Sequence, residues 1–492
     1  MWLTSFFRAP LAARTSHDGP VHLYNTLSAS KEEFTLPPQA TSVRMYHCGP
    51  TVYGRQHIGN LSMYVFTDIL RRTVEHAGFR VKQVINITDI GHLTSDADEG
   101  EDKMSKGLKA EGMKVTLENM RLLADKYTGL FFDDLRTLNI DTETILFPRA
   151  SDYIDTQILL VKTLEEKGYA YRGSAGVYFD TASFSSYGKL GAIDLDSLRE
   201  GARVAKDDDK RNPTDFLLWK LDKKIGWDSP WGKGFPGWHI ECSAMIRKTL
   251  GERIDIHTGG IEHIPIHHNN EIAQSESVTG KSPLSRFWMH RAHIRIDGGK
   301  IAKSEGTAVY LSDILERGYH PLALRYLFLT AHYRTPMNFS WQSLEAAQNA
   351  YRRLLSIRLA SSTPTIAPEG PRHRFFERIN DDLDTPGALA VLWDSIKSCS
   401  SDEAAALIIE ADSVLNLRLA EPRDTERTLA RGENKEYVPA DAYSAEISDI
   451  LARREEARAE KKWEESDTLR DELSVFGYGV DDTPAGQRIY KQ

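Results

Sequence analysis

The chain has 492 residues, a formal net charge of −9 at pH 7, 40% hydrophobic residues and 27% charged residues. This length allows several domains with a substantial core, and the composition is typical of a globular protein. The acidic balance excludes an overall basic, nonspecific nucleic-acid binder but leaves room for a local basic face. No run of about 18 apolar residues is present, so we expect no membrane span. Only three cysteines argue for a reducing compartment, the cytoplasm, over a disulfide framework.

Residues 1–20 differ from the rest of the chain because they contain no acidic side chain before Asp18. An acid-poor extension of this kind is typical of an organelle presequence. A disordered tail or an upstream start codon explains it equally well. We expect residues 1–20 to be disordered and the structured chain to begin near Val21.

The next segment predicts a strand, a loop, a helix and a second strand. Residues 42–48 and 79–87 alternate apolar and polar side chains, as strands do. Between them, Gly78 is placed to end a helix whose apolar residues recur at helical spacing: Leu61, Val65, Ile69, Leu70 and Val74. This unit is typical of the opening of a parallel, doubly wound sheet, so we predict an α/β, Rossmann-like domain.

The sheet resumes further along the chain. Residues 254–260 and 287–296 predict two more strands, after which Asp297-Gly-Gly turns into Lys300-Ile-Ala-Lys-Ser304. The stretch between the two halves has a mixed pattern, with a hairpin predicted over 173–184. The two halves of one sheet are therefore separated by an insertion.

The remainder of the chain has a different character. After Tyr310 the pattern becomes mainly helical, and residues 361–371, rich in Ser, Thr and Pro, predict a linker. A charged, amphipathic helical pattern runs from Ala445 to Phe476. We therefore expect helical domains to follow the parallel sheet.

Two cysteines and a later histidine-rich segment together contain the side chains of a candidate metal site. Cys48 and Cys242 lie ahead of His-His-Asn-Asn-Glu at 267–271. Two thiolates, an imidazole and a carboxylate suit tetrahedral Zn²⁺, and His267 and Glu271, four apart, project from one face of a helix. The alternative is that the two cysteines are small buried hydrophobes, as most free cysteines are.

The tetrapeptide His57-Ile58-Gly59-Asn60 falls at the loop and N-terminus of the first predicted helix. Free backbone N–H groups and the helix dipole favour phosphate at such a position. Gly59 permits close approach of a ligand, and the imidazole of His57 can donate a hydrogen bond to phosphate oxygens. The position of this motif therefore predicts a phosphate site.

In this order, the motifs resemble those of class I aminoacyl-tRNA synthetases, and most closely those of the cysteinyl-tRNA synthetase family. His57-Ile-Gly-Asn60 resembles the family's HIGH motif, and Lys300-Ile-Ala-Lys-Ser304 resembles its KMSKS motif. The resemblance extends from Leu23 to the C-terminus and includes four longer strings: Cys-Gly-Pro-Thr-Val-Tyr (48–53), Asn-Ile-Thr-Asp (86–89), Gly-Trp-His-Ile-Glu-Cys-Ser-Ala-Met (237–245) and Glu-Ile-Ala-Gln-Ser-Glu (271–276).

The resemblance implies an order of domains. A Rossmann-like catalytic domain with a connective insertion precedes helical tRNA-binding domains in this family. The implied parts are a catalytic domain at 21–139 and 235–310, a connective insertion at 140–234, a helical stem-contact region at 311–360, a helical anticodon-side domain at 361–430, and a linker with an anticodon-recognition module at 431–492.

The resemblance also implies the residues that bind ATP, which is expected to carry Mg²⁺ held largely by phosphates and water. They are His57, Gly59, Asn60, Lys300, Lys303 and Ser304. Lys300 and Lys303 are expected to contact the departing pyrophosphate, with Lys303 the more important of the two, and His57 is expected to contact the triphosphate. The chain departs from the family string with Ile301 and Ala302 where Met and Ser are usual. Both lysines are retained, so we expect activity.

For the amino acid, the resemblance implies one zinc ion per chain held by Cys48, Cys242, His267 and Glu271. His239 and His268 are neighbouring imidazoles that are alternative ligands or partners of ligands. The implied L-cysteine pocket consists of Gly49, Thr88, Trp238 and Glu262. The family usually has Asp where this chain has Glu262, the expected partner of the substrate ammonium. The alternative for Trp238 is a plain core aromatic.

Three residues near the C-terminus match family positions that contact anticodon bases: Asp467, Arg470 and Asp482. Carboxylates can accept from base amino groups, and arginine can donate to a guanine edge. The alternative is that these charges belong to a solvated helix surface.

The resemblance thus implies a cysteine–tRNA ligase that uses ATP, L-cysteine and tRNA-Cys, and we expect a monomer. Two alternatives remain open. A ligase of the mycothiol type joins cysteine to an amino sugar but resembles a synthetase without the anticodon-binding end, which this chain retains through residues 485–490. A noncatalytic tRNA-binding paralogue usually loses a zinc ligand or a catalytic lysine, and none is lost here.

Overall fold

The computed structural model describes residues 18–91, 103–193, 209–296, 299–300, 308–361, 364–431, 438–439, 442–483 and 486–491. The chain forms two compact units, of which the first ends at Glu421 and the second begins at Pro422. Among the described helices, none combines the length and the apolar character needed to cross a membrane.

The first unit is a mixture of helices and strands, and the second adds helices and one hairpin. The α-helices in the described ranges are α1 (Ile58–His76), α2 (Lys103–Ala110), α3 (Leu117–Thr137), α4 (Ile154–Glu166), α5 (Trp238–Thr249), α6 (Asn269–Thr279), α7 (Leu311–Glu316), α8 (Pro321–Leu329), α9 (Trp341–Leu359), α10 (Glu369–Asn380), α11 (Thr385–Ser395), α12 (Ser401–Leu415), α13 (Asp424–Arg431), α14 (Ala445–Ala459) and α15 (Trp463–Val475).

The strands belong to several separate sheets. In chain order they are β1 (His22–Asn25), β2 (Ser30–Glu33), β3 (Val43–His47), β4 (Val81–Ile85), β5 (Ile145–Leu146), β6 (Ala170–Arg172), β7 (Gly176–Phe179), β8 (Phe216–Leu221), β9 (Gly234–Pro236), β10 (Ile254–Gly260), β11 (Ser285–Arg291), β12 (Ile294–Ile296), β13 (Gly299–Lys300), β14 (Met337–Phe339), β15 (Tyr478–Thr483) and β16 (Gly486–Lys491).

A five-stranded parallel sheet in the order β11-β10-β3-β4-β5 forms the centre of the first unit. Its strands are largely buried, as expected for a parallel sheet covered on both faces. The predicted strands at 42–48, 79–87 and 254–260 correspond to β3, β4 and β10. The predicted α/β, doubly wound class is therefore confirmed.

The strand predicted over 287–296 is divided in two. Arg291 is the last residue of β11 and pairs with Gly260, where β10 also ends. Beyond that pair the chain has no partner in the parallel sheet, so Ile294–Ile296 pairs instead with β13 and β14. A prediction from alternation alone could not detect this change of partner.

Helix α1 connects β3 to β4 and begins at the His-Ile-Gly-Asn motif. Its N-cap His57 accepts a hydrogen bond from the backbone N–H of Asn60, and the side chain of Asn60 accepts one from the N–H of His57. This reciprocal arrangement satisfies two N–H groups at the helix start. The helix ends at His76, and Gly78 follows with φ 93°, as the sequence indicated.

A four-stranded antiparallel sheet, β6-β7-β8-β9, lies in the segment between the two halves of the parallel sheet. The hairpin within it spans Ala170–Phe179 rather than the predicted 173–184. Gly173 lies in the turn, where its N–H donates to the carbonyl of Gly176, and Thr181–Ser183 forms a short 3-10 turn. The predicted hairpin was therefore shifted toward the C-terminus.

After Tyr310 the first unit is mainly helical, as predicted. Arg325 of α8 is completely buried and forms an ion pair of 2.5 Å with Asp68 of α1. The predicted linker at 361–371 overlaps the start of α10 at Glu369, and residues 362–363 lie outside the described residues. The Asp68–Arg325 pair joins the helical region to the helix that carries the His-Ile-Gly-Asn motif.

The second unit contains α14 and α15 followed by the β15–β16 hairpin. Lys461 has φ 60° between the two helices, so the single amphipathic pattern of the sequence forms a helical hairpin. The core of the unit consists of seven buried apolar side chains: Ile447, Ile450, Leu451, Ala457, Leu469, Leu473 and Ile489.

Candidate active site and metal centre

Four side chains predicted as metal ligands converge at the carboxyl edge of the parallel sheet. Cys48 directly follows β3, and Cys242 lies on α5. His267 lies in the π-helical turn Ile264–His268, and Glu271 is in the first turn of α6. All four are buried, and one donor atom from each lies within 4.8 Å of the others. We call these four residues the ligand quartet.

The spacing of the ligand quartet fits a small cation. A zinc ion about 2.0–2.3 Å from four tetrahedral ligands holds the ligand atoms about 3.3–3.8 Å apart. Here Cys242 Sγ lies 3.7 Å from His267 Nε2, Cys48 Sγ lies 4.0 Å from Glu271 Oε1, and that oxygen lies 2.9 Å from His267 Nε2. Small shifts of the side chains would therefore suffice to coordinate an ion.

Two donors of the ligand quartet, Cys242 and Glu271, lie in an electrostatic environment that favours their ionised forms. The hydrogen bond from the Cys48 thiol lowers the pKa of Cys242 to about 6 despite burial, while burial raises the pKa of Cys48 itself. Burial opposes the charge of Glu271, but His257 and His267 lower its pKa to about 2. Burial opposes the charge of His267, but Glu271 and Cys242 raise its pKa to about 10. A divalent cation would therefore displace protons from His267 and Cys48 when it binds.

Further imidazoles surround the ligand quartet. His239 Nδ1 lies 2.8 Å from His267 Nδ1, and His268 Nε2 lies 3.2 Å from Cys48 Sγ. His257 Nε2 lies 2.9 Å from Glu271 Oε2. Cys48, His257, His268 and Glu271 form an alternative set of donors at similar spacing. The ligand quartet suits zinc better because it supplies two sulfur atoms rather than one.

Two residues of the predicted amino-acid pocket are joined by one side chain. The N–H of Gly49 donates to Asn86 Oδ1 at 2.8 Å, and Asn86 Nδ2 donates to Thr88 Oγ1 at 3.2 Å. Thr88 in turn donates to Glu241 Oε2 at 3.2 Å. This series of hydrogen bonds links the segment after Cys48 to the helix that carries Cys242.

The other two predicted pocket residues, Trp238 and Glu262, have different neighbours. Trp238, the first residue of α5, stacks on His267 with ring centroids 4.2 Å apart. Glu262 follows β10 in a 3-10 turn and lies 3.5 Å from His293 Nδ1. The side chain of Glu262 is 51% exposed, so it remains accessible to a ligand.

The predicted ATP residues divide between described and undescribed parts of the chain. The capping bond makes His57 Nδ1 an acceptor, which leaves the proton of the neutral ring on Nε2, and Gly59 and Asn60 form the first turn of α1. Lys300 ends β13, whereas Lys303 and Ser304 lie outside the described residues, as do Ile301 and Ala302. Beyond them, Tyr310 forms a backbone bridge with His57. The segment that follows the lysine motif therefore lies against the start of α1.

The three predicted anticodon residues all lie in the second unit. Asp467 and Arg470, on α15, form an exposed ion pair of 3.0 Å. Asp482, on β15, forms ion pairs of 2.7 Å with buried Arg454 and 3.3 Å with Arg458. The carboxylate of Asp482 therefore already holds the hairpin against α14.

Comparisons with known proteins match two parts of the chain to family models and nearly all of it to curated relatives. Residues 35–349 match the family described as tRNA synthetases class I (C) catalytic domain, and residues 440–489 match the cysteinyl-tRNA ligase anticodon binding domain. The cysteine–tRNA ligase 1 of Burkholderia lata is 45% identical over 484 residues, which cover 96% of this chain and 97% of that protein. The chain belongs to the cysteinyl-tRNA synthetase family. The cysteine–tRNA ligase of Thermus thermophilus is also similar, at 41% identity over 95% of this chain and 98% of that protein.

Among solved structures, methionyl-tRNA synthetase of Mycobacterium tuberculosis bound by methionyl-adenylate is similar in fold, with a TM-score of 0.57. It is 13% identical and covers 80% of this chain and 97% of that chain. At this identity the likeness concerns the fold alone. The family models and the curated relatives confirm the family membership and the enzyme class implied by the motifs, in preference to an amino-sugar ligase or a noncatalytic paralogue.

The sequence did not identify several buried polar residues at the site. His257, on β10, contacts Glu271, and Glu241 lies beside Cys242 with no exposed surface. Asn86 appeared only as part of a matching string. A useful indication was available for Asn86, since it directly follows β4 and parallel strands bring their carboxyl ends to one edge, whereas His257 lies within β10.

Proposed function

We propose that this chain activates L-cysteine with ATP and transfers it to the 3′ end of tRNA-Cys, with zinc as the metal that selects the substrate thiol. The observation that supports this most directly is the ligand quartet, which combines two sulfur atoms, an imidazole and a carboxylate within 4.8 Å at the carboxyl edge of a parallel sheet. Ligands of open α/β sheets bind at this edge. Family membership supports the general reaction, and the donor atoms of the ligand quartet support L-cysteine as the amino acid.

The proposed reaction has two steps. The carboxylate of L-cysteine attacks the α-phosphate of ATP, so that cysteinyl-adenylate forms and pyrophosphate leaves. A terminal ribose hydroxyl of the tRNA then attacks the activated carbonyl, and AMP leaves. Neither step requires a nucleophile from the protein, so catalysis depends on positioned charge and alignment.

The start of α1 and the lysine motif are the proposed source of that positioned charge. Backbone N–H groups at this helix terminus and the Nε2–H of His57 would hold the triphosphate, with Gly59 and Asn60 beside it. Lys300, Lys303 and Ser304 would contact the departing pyrophosphate. Mg²⁺ would arrive with ATP, bound mainly by phosphate oxygens and water.

In the proposed amino-acid pocket, Cys48, Cys242, His267 and Glu271 would hold one zinc ion per chain. When bound, zinc supplies a soft Lewis acid that prefers a thiolate to the harder, less acidic hydroxyl of serine. This preference exceeds the roughly 1–3 kcal/mol that a packing pocket can supply against so similar a substrate. The chain would therefore not need an editing domain.

The remaining pocket residues would orient the rest of the substrate. The exposed carboxylate of Glu262 would bind the ammonium group, and the indole of Trp238 would cover the side chain. Gly49 and Thr88 would border the amino acid moiety, since both belong to the hydrogen-bonded segments that join the two cysteines.

In the second unit, Asp467, Arg470 and Asp482 are the proposed anticodon contacts. The ion pair of Asp467 with Arg470 is exposed and would have to open or pivot to meet a base. Asp482 would act more through the position of the β15–β16 hairpin, because Arg454 holds its carboxylate. A monomeric state and a cytoplasmic location complete the proposal.

The deciding experiment is cysteine-dependent exchange of pyrophosphate into ATP, with serine as the competing substrate and with metal content measured on the same sample. We expect exchange with cysteine only, at about one zinc per chain. Exchange that is equal with serine would contradict the role of the metal as selector. Absence of exchange despite bound zinc would contradict the catalytic assignment.

A further inference from the structure

Arg291 is a buried cation at the active-site edge of the parallel sheet. It is the last residue of β11, where it pairs with Gly260, and it is 7% exposed. The chain turns away from the sheet immediately afterwards. The side chain of Arg291 therefore starts at the same carboxyl edge as Cys48, which directly follows β3.

Among the described residues, Arg291 contacts a hydroxyl group and an aromatic ring but no acidic side chain. Its Nε donates to Ser62 Oγ at 2.9 Å, and its guanidinium carbon lies 5.9 Å from the centroid of the Phe328 ring. No carboxylate within the described ranges forms an ion pair with it, and burial alone lowers its pKa to about 10. A buried charge without a partner is costly, so it requires an explanation.

Other buried arginines of the chain do not share this property. Arg325 pairs with Asp68 at 2.5 Å, and Arg71 pairs with the same aspartate at 3.4 Å. Arg454 pairs with Asp482 at 2.7 Å. The rest of the fold thus neutralises its buried guanidinium groups, and Arg291 is left positive where a ligand is expected to bind.

A second feature at this place also favours an anion. Ser62, which accepts from Arg291, donates through its own Oγ to the carbonyl of Gly59 at 2.7 Å. Arg291 is therefore connected by two successive hydrogen bonds to the first turn of α1. The N-terminus of this 19-residue helix carries a positive partial charge, although the N–H groups of Ile58 and Asn60 already donate to the carbonyl of Val309 and to His57 Nδ1. The guanidinium of Arg291 and the N-terminus of α1 therefore place positive charge next to each other.

We propose that Arg291 is a further ATP-binding residue whose guanidinium contacts a phosphate group of the bound nucleotide. This inference rests on the proposed function, because it assigns the anion to ATP. The carboxylate of L-cysteine is the other anion in the reaction, but Arg291 is attached to the His-Ile-Gly-Asn turn rather than to the ligand quartet. Nucleotide phosphate also carries more charge than one carboxylate, and a guanidinium binds it through paired N–H groups.

The test is direct binding of ATP and of adenosine to the full-length protein by calorimetry, without cysteine. In the Arg291→Met variant, affinity for ATP should fall about 10- to 100-fold, as expected for loss of a charge-assisted contact to phosphate. Affinity for adenosine should stay within about twofold, because adenosine has no phosphate. Arg247→Gln is the matched control, since it removes an arginine that is 39% exposed on α5.

The free protein gives an independent readout. Replacing a buried charge that has no acidic partner among the described residues with an apolar side chain of similar length should leave the melting temperature unchanged or raise it. ATP should stabilise the variant less than it stabilises the natural protein. A merely structural Arg291 would show the reverse pattern, with a lower melting temperature and normal affinity for ATP.

Several results would overturn the assignment. Unchanged affinity for ATP would do so, as would equal losses for ATP and adenosine, or failure of both Arg291→Met and Arg291→Gln to fold. In pyrophosphate exchange, a raised KM for cysteine with an unchanged KM for ATP would assign Arg291 to the amino acid instead. If the natural protein shows no exchange, the proposed function fails, yet the calorimetric comparison still decides whether Arg291 binds phosphate.

Discussion

The backbone of Gly49 lies directly against that of Asn86. The N–H of Gly49 donates to Asn86 Oδ1 at 2.8 Å, and a Cβ atom at Gly49 would lie 1.5 Å from the backbone oxygen of Asn86. Since Gly49 follows Cys48, this contact fixes the position of the first cysteine of the ligand quartet. Asn86 and Thr88 then connect the same segment to Glu241, the neighbour of Cys242.

We predict that Gly49→Ala lowers metal occupancy and activity together. The added methyl group meets backbone atoms, so the segment that carries Cys48 must move. Metal affinity should fall about 10- to 100-fold, as for loss of a residue that orients ligands. Titration with a zinc chelator measures the change.

Gly129→Ala is a suitable control, because Gly129 lies within α3 and a Cβ there meets nothing within 4 Å. That variant should bind metal normally and be as stable or slightly more stable, given the higher helix propensity of alanine. Full metal affinity in Gly49→Ala would show that Cys48 does not depend on this contact.

Cys242→Ser should abolish stoichiometric zinc. A serine hydroxyl is a poor substitute for a thiolate whose pKa is already lowered to about 6 by the hydrogen bond from Cys48. Metal analysis of the purified variant is the measurement. Cys399→Ser, at a partly exposed cysteine on the segment between α11 and α12, should keep one zinc per chain. A full zinc content in Cys242→Ser would refute the ligand quartet.

Much of the sheet and of the ligand set could be predicted from the sequence because both depend on local pattern or on strings specific to the family. The strands around Met45, Val84 and Ile256 are short segments rich in apolar side chains, and the apolar side chains of α1 recur at helical spacing. The ligands required the resemblance as well, since no spacing rule brings Cys48 to Cys242.

The remaining features depend on tertiary partners, which a single sequence does not reveal. Strand β11 ends at Arg291 because β10 ends opposite it, and alternation continues past that point. The pairing of Asp68 with Arg325 joins residues 257 positions apart. For the same reason, Arg291 resembled any other charged residue in the sequence, and only the fold shows that no acid in the described part of the chain pairs with it.

Lys303→Ala should reduce cysteinyl-adenylate formation by a factor of about 100 or more, because a positioned charge on the leaving pyrophosphate acts mainly in the transition state. Lys303 lies outside the described residues, and this prediction rests on the family motif. Pre-steady-state formation of the adenylate is the measurement, with Lys397→Ala at a 70% exposed surface lysine as control. Unchanged pyrophosphate exchange would refute the role of Lys303.

Asp68 should make the free energy of unfolding of the first unit depend on pH in the acid range. Burial opposes the charge of Asp68, but Arg325, Arg72 and Arg71 lower its pKa from 3.8 to about 2. A lowered folded-state pKa stabilises the protein above the unfolded-state value, and this contribution is lost as the pH falls from 3.8 toward 2. Asp68→Asn should therefore lower the free energy of unfolding by about 2 kcal/mol at pH 7.

The difference between the two proteins should shrink as the pH approaches 2, because the natural carboxyl then becomes protonated as well. Urea titrations of both proteins at several pH values measure this. Asp394→Asn, at a side chain that is 85% exposed and contacts only Lys397 among the ion pairs of the described residues, should show no such dependence. A constant difference between pH 7 and pH 2.5 would mean that the charge of Asp68 does not stabilise the contact between α1 and α8.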